Sequence, residues 1–148
     1  MHVGRPWGPL GAFDLVITTP QYFLPEQANI LHNNLPLHRV STDDLVIAGE
    51  QLRPQLADLP RPWVAVLMGG DSGRFVMTRA KARRLGSLAL ALAAAGGGSL
   101  LVTDSPRTPR RAGDALQAQL QPPHYCYRWG SGKANPYQGL LALADAFV

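Results

Sequence analysis

The second half of the chain alternates between short apolar runs and longer stretches of helical spacing. "WVAVLM" (Trp63–Met68) is a continuous apolar run of strand length, "SLLVTDS" (Ser99–Ser105) is another, and "HYCYRW" (His124–Trp129) alternates like a third. Between the first two lies "TRAKARRLGSLALALAAA" (Thr78–Ala95), where Leu85, Leu88, Ala89 and Leu92 share one helical face before three glycines, Gly96–Gly98. "TPRRAGDALQAQLQ" predicts a second helix, with Thr108 as cap and Pro109 at its first position. "NPYQGLLALADA" predicts a third, capped by Asn135 with Pro136 at its first position, and leads into a strand at the C-terminus. Strand and helix in strict alternation specify an α/β fold: a Rossmann-like parallel sheet with flanking helices.

The first half is less regular. "FDLVITTP" (Phe13–Pro20) predicts a buried strand closed by Pro20, and "NILH" a second short strand. "STDDLVIAGEQLRPQLADL" predicts a helix capped by Ser41 or Thr42, with Asp43 and Asp44 in its electropositive first turn. Leu45, Ala48, Leu52 and Gln55 run along one stripe, and Pro54 bends or ends the helix. "LPRPW" (Leu59–Trp63) suits neither helix nor strand and marks the expected domain boundary.

Composition narrows the function classes. With 46% hydrophobic residues the chain can bury a core, so a disordered segment is excluded. Its net charge of +4 suits an acidic or phosphorylated small ligand. The basic residues "RAKARR" and "RTPRR" lack interleaved aromatics, so no nucleic-acid partner is expected. Cys126 is the sole cysteine, and the four histidines show no metal-ligand spacing, so no disulfide framework and no metal is expected. The most apolar run, Leu85–Ala95, falls short of the ~20 residues that span a bilayer. The N-terminus lacks secretory-signal order, and the expected location is cytoplasmic.

In parallel α/β sheets, ligands bind beyond the C-terminal ends of the strands. Those ends carry "GGDSG", "TDSPRTP" and "GSGKANPY". Gly69, Gly70, Ser72 and Gly73 permit close backbone approach, and the following helix start offers free N–H groups to a phosphate. A plain strand–helix turn with a solvated basic face (Arg79, Lys81, Arg83, Arg84) is the competing reading. Asp71 complicates the first, since a carboxylate repels phosphate. In the second loop Ser105 and Thr108 offer hydroxyls and Arg107 a bidentate cation, against an ordinary helix cap beside an exposed arginine. In the third, Asn135 and Tyr137 flank a good helix start. Neither G-x-G-x-x-G nor the Walker spacing is present, which sets aside a nicotinamide dehydrogenase and an ATPase. There is no G-x-S-x-G and no evident base for Cys126, so the catalytic residues are unknown.

Taken in order, "HVGRPWGPLGAFDLVIT", "ANILHNNLPLHRV", "VLMGGDSGRF", "SLLVTDSPRTP" and "NPYQGLLALADAFV" resemble the ELM1-like mitochondrial fission family, whose bacterial members often carry the label nucleoside-diphosphate-sugar epimerase. The resemblance implies a GT-B-like, two-domain arrangement with a nucleotide-diphosphate sugar between Rossmann-like halves. Residues 1–59 would then be the end of the N-terminal domain with a linker helix, and 60–148 most of the C-terminal, nucleotide-sugar-binding domain. It maps Gly69, Gly70, Ser72 and Gly73 onto the family's glycine loop, Ser105, Arg107, Thr108 and Pro109 onto its "SRRTP" segment, and Asn135, Pro136 and Tyr137 onto its "NPY". The nucleotide-sugar would be substrate, with no cofactor.

Two departures stand out. Pro106 replaces the family's usual arginine, and the chain stops at Val148, before an Asp-Ser-x-Ser-Met segment. The chain therefore reads as an incomplete piece of the fold, without turnover of its own, and with a sheet edge that invites pairing with another chain. An epimerase needs a Tyr-x-x-x-Lys pair, and no tyrosine here has a lysine four residues on. Two function classes follow: a glycosyltransferase-like nucleotide-sugar binder, or a non-enzymatic adaptor on the same fold.

Overall fold

A computed structural model describes residues 1–148, which divide into two compact units, Met1–Arg39 and Val40–Val148. The first holds three short parallel strands side by side: β1 (His2–Val3), β2 (Val16–Thr18) and β3 (Ile30–His32). Val16 pairs with both His2 and Ile30, and its side chain is fully buried. The apolar run from Phe13 narrows to three strand residues, because Leu10–Ala12 forms a 3-10 turn that Phe13 closes. The Asn29 amide fastens that turn, donating to the carbonyls of Leu10 (2.9 Å) and Phe13 (2.8 Å). Pro20 ends β2 as expected and opens a second 3-10 turn, Pro20–Tyr22.

In the second unit, α1 (Thr42–Leu52) begins at Ser41, whose hydroxyl accepts from the Asp44 N–H at 3.1 Å. It gives way to a 3-10 turn, Arg53–Leu56, where Pro54 cannot donate a helical hydrogen bond. Four parallel strands follow: β4 (Trp63–Leu67), β5 (Ser99–Thr103), β6 (His124–Tyr127) and β7 (Ala146–Phe147), with α2 (Arg79–Ala95), α3 (Arg110–Gln117) and α4 (Tyr137–Leu143) between them. Their spatial order is β6-β5-β4-β7, so the winding reverses between β4 and β7, as in a Rossmann-like half. The fold class is the one the alternating pattern specifies. The segment Leu59–Trp63 and helix α1 both lie within this unit.

The period-two geometry of strands distributes the core to two faces. Val64, Val66, Leu100 and Val102 pack with Ala82, Ala89, Ala112 and Leu116 of α2 and α3. Trp63, Ala65 and Leu101 pack on the opposite face with Leu52, Leu56, Leu140 and Leu143 of the α1–α4 side. Asp145 ties the entry of β7 to the start of β4, accepting from the Trp63 N–H at 2.6 Å and pairing with Arg61.

One expectation needs correction. Of the expected face, Ala89 is buried and Leu85 packs half-buried on the core, but Leu88 and Leu92 are 59% and 51% exposed, and Ala82, Gly86 and Ala93 are buried in their place. A Cβ at Gly86 would stand 3.0 Å from the Gln119 Cβ, so the two elements are in close contact. Small side chains fit that interface, and leucines would hold it open.

Candidate functional site

The loop leaving β4 is fastened at both ends. Met68 N–H donates to the Thr103 carbonyl at 2.8 Å, extending the β4–β5 ladder one residue beyond the strand. Gly69 is surrounded by open space, whereas a Cβ on Gly70 would land inside the Arg107 carbonyl group and 2.7 Å from the Thr108 backbone nitrogen. In the next residue, Asp71 Oδ1 accepts from the Met77 N–H at 2.7 Å, so the carboxylate is engaged in closing its own loop. Ser72 and Phe75 exchange backbone bonds of 2.9 and 3.0 Å around a turn in which Gly73 takes φ +54°. Phe75 projects from this turn, 67% exposed. Thr78 then caps α2, accepting from the Lys81 N–H at 3.2 Å, while Lys81 Nζ donates to the Val76 carbonyl at 2.8 Å.

The loop leaving β5 centres on Thr108. Its Oγ1 accepts from the Ser105 N–H at 3.0 Å and lies 3.0 and 2.9 Å from the carbonyl oxygens of Met68 and Gly69, which share its single proton. Ser105 Oγ is 3.1 Å away. The expected cap role of Thr108 is therefore corrected: α3 starts at Arg110 behind Pro109, with no side-chain cap. A hydroxyl committed to the preceding loop has no geometry left for the helix amides. Arg107 has an exposed side chain outside any ion pair, and its backbone is what meets Gly70.

A third group of residues, at the ends of β5 and β6, is absent from the sequence reading. Arg128 Nε donates to Asp104 Oδ2 at 2.6 Å, and its Nη1 donates to Asp114 Oδ1 (3.0 Å) and Gln117 Oε1 (2.9 Å). The second Asp104 oxygen accepts from the Trp129 N–H. Asp104 is almost wholly buried, at 8% side-chain exposure, yet both its carboxylate oxygens are hydrogen-bonded. The guanidinium lies across Gly113, where a Cβ would come within 2.5 Å of Nη2. Burial works to lower the Arg128 pKa, but the bonds to Asp104 and Asp114 outweigh it and raise the value. Asp104 occupies the end of the second strand, where dinucleotide-binding sheets place the acid that holds a ribose. Here each of its oxygens already accepts one bond, from Arg128 Nε and from the Trp129 N–H.

These residues border an open cleft of about 480 Å³, lined by Asp104, Ser105, Thr108, Arg110, Asp114, Arg128 and Trp129 together with Pro106, Gly130 and Ser131. Trp129 is half exposed there, and Arg110 forms no ion pair. The first two loops are thus joined by backbone contact at Gly70 and by the Thr108 hydroxyl. Of the expected residues, Ser105 and Thr108 line the cleft, whereas Arg107, Gly69 and Gly70 do not; Gly69 touches the Thr108 hydroxyl and Gly70 the Arg107 backbone. Ser72 and Gly73 belong to the projecting turn. The third loop stands apart: Asn135 Oδ1 accepts from the N–H of Tyr137 (3.1 Å), the first residue of α4, whose N-cap position Pro136 occupies instead of the expected Asn135, and Asn135 lines a separate hollow with Gln51, Gln55 and Tyr125. On β6, burial foremost pushes the Cys126 thiol up from its ordinary value, with Arg128 pulling it down and Asp104 pushing it up; Tyr125 is raised chiefly by burial.

The family model described as mitochondrial fission ELM1 matches residues 1–148. The chain belongs to that family. The mitochondrial fission protein ELM1 of Arabidopsis thaliana is 29% identical over 171 aligned residues, which cover all of this chain and 40% of the relative. This member of the ELM1 family therefore spans about two fifths of that relative's length. No solved structure matches it. No helix is long and apolar enough to cross a membrane, and no three His, Cys, Asp or Glu side chains converge as a metal site would require.

Proposed function

We propose that the Val40–Val148 unit binds the nucleoside diphosphate part of a nucleotide-sugar, as one half of a GT-B-like, glycosyltransferase-type protein. One observation carries the reading: an open cleft of about 480 Å³ at the C-terminal ends of parallel strands, within the ~300–1,000 Å³ of small-molecule sites. Ser105 and Arg110 bring a hydroxyl and an unpaired cation to its edge, Arg107 stands on the same loop, and the Trp129 indole offers a face on which a base can stack. In the complete protein, backbone amides at Gly69 and Gly70 together with Arg107 would steady a leaving diphosphate electrostatically. Cytoplasmic location and self-association along the β7 edge, where Phe147 is half exposed, are part of the same proposal.

Calorimetric titration with UDP, GDP and ADP, alone and as sugar conjugates, tests the reading. Saturable heat from one of them supports it, and absence of heat from all ends it.

The Arabidopsis relative, a mitochondrial fission protein by name, supports a second reading, in which the fold serves as a non-enzymatic adaptor. The discriminating variants are Trp129→Ala and Arg110→Glu, because Gly70 is needed for the loop contact itself. A stoichiometric partner retained by both, after nucleotide heat is lost, favours the adaptor. Loss of partner and nucleotide together removes its independence.

A further inference from the structure

The positive charge of the chain is concentrated in one stretch. Residues 72–103 hold five cations, Arg74, Arg79, Lys81, Arg83 and Arg84, and no acid, whereas the rest of the chain carries nine cations against ten acids. All five are exposed, and none enters an ion pair. The contacts they do make leave the charge in place: Lys81 Nζ donates to the Val76 carbonyl at 2.8 Å, and the Arg74 guanidinium lies 5.4 Å from the centre of the Phe75 ring. Four of the five fall in the first two turns of α2, where the helix dipole already places positive charge, so a negative partner relieves the local repulsion.

Apolar side chains stand among these cations. Phe75 closes the turn that begins at Ser72, Val76 follows it, and they are 67% and 42% exposed directly after Arg74. On α2, Lys81, Arg84, Leu88 and Leu92 are spaced three and four apart and share one exposed side of the helix, with both leucines more than half exposed. The whole surface belongs to the Val40–Val148 unit, and none of its residues lines the nucleotide cleft.

The two features make different demands on a partner. Unpaired cations without acids select a surface carrying many negative groups, and exposed Phe, Val and Leu side chains gain by leaving water. A nucleic acid meets the first demand only, since Val76, Leu88 and Leu92 have no ring to stack on a base. An anionic bilayer meets both, with phosphates at headgroup level and hydrocarbon just beneath. We infer that this face docks the chain on an anionic lipid surface, with Phe75 and Val76 entering the headgroup layer and Arg74, Lys81 and Arg84 pairing with lipid phosphates. The inference is independent of the nucleotide reading.

Flotation of the full chain with vesicles of phosphatidylcholine, alone or with about 30% phosphatidylglycerol, tests it. The chain should float with the anionic vesicles and not with the neutral ones, and raising salt from about 50 to about 200 mM should weaken binding at least about fivefold. Arg74→Glu combined with Arg84→Glu should lower partitioning at least about tenfold, and Phe75→Ser at least about fivefold. These side chains are exposed, so both variants should melt close to wild type. A duplex RNA at matched phosphate concentration should be held more weakly than the anionic vesicles, and tighter binding to it overturns the lipid assignment. No binding to either vesicle, equal binding to both, or partitioning unchanged in both variants overturns the inference.

Discussion

Gly70 and Arg107 meet backbone to backbone: a single added carbon at Gly70 would occupy the place of the Arg107 carbonyl. The glycine loop and the loop after β5 therefore form one wall, and the glycine is there for its neighbour as much as for any ligand. Gly70→Ala should destabilise the chain by about 1–3 kcal/mol, the usual cost of overpacking. Gly69→Ala, with open space around it, should stay within about 0.5 kcal/mol of wild type. Urea unfolding midpoints of the two variants check the contrast; equal effects would show that the loops can part freely.

Thr108 is the polar counterpart of that contact. Thr108→Val keeps the shape but removes the acceptor for Ser105 N–H and the donor shared by Met68 and Gly69, for an expected loss of about 1–2 kcal/mol. Thr108→Ser should recover most of it. If Thr108 acted only as a helix cap, Thr108→Asp would substitute equally well; the loop carbonyls predict that it will not, because a carboxylate cannot donate to them.

Gly113 presents a test whose sign is informative. Glycine to alanine inside a helix ordinarily stabilises by about 0.5–1 kcal/mol. Here the methyl group would push into the Arg128 guanidinium and against Asp104, so Gly113→Ala should destabilise instead. Thermal unfolding checks the direction, and a higher melting temperature would mean that Arg128 does not lie across the helix.

Burial raises the Cys126 thiol and the Tyr125 phenol in the folded state. A raised folded value means the native form holds its proton more tightly than the unfolded chain. The associated stability is complete below the unfolded values and is lost as pH climbs through the folded ones. The urea midpoint should therefore fall between about pH 8 and the alkaline range in which free thiols and phenols ionise. Cys126→Ala should flatten the early part of that fall, and an unchanged slope would contradict the assignment. At fixed pH, Cys126 should also alkylate more slowly in the native protein than after unfolding.

The reach of the sequence follows the range of the interactions involved. Strands β4 to β6, the Ser41 cap and the break at Pro54 depend on neighbours a few residues away, and all are legible; the start of α4 is legible to within a residue, at Pro136 and not Asn135. Strand β1 is two residues long and exists only because β2 lies beside it. The buried stripe of α2 was half legible: Leu85 and Ala89 belong to it, but hydropathy favours Leu88 and Leu92 where close contact with the α3 side favours Ala82 and Gly86. Arg128 read as strand because its partners Asp104 and Asp114 are distant in sequence. The only local hint was Gly113, a glycine inside a helix without a turn to explain it. Thr108 looked like a cap because Thr-Pro opens many helices, and the carbonyls it serves lie across the sheet.

The central claim, a nucleoside diphosphate in the cleft at the ends of β5 and β6, is tested most directly by amide NMR of the isotope-labelled chain titrated with UDP, GDP and ADP. The account predicts saturable shifts at Gly69, Gly70, Ser105, Arg107 and the Trp129 indole N–H for at least one nucleotide, and their loss in Arg110→Glu. Resonances there that stay unmoved by all three nucleotides, or shifts confined to other surfaces, would contradict it.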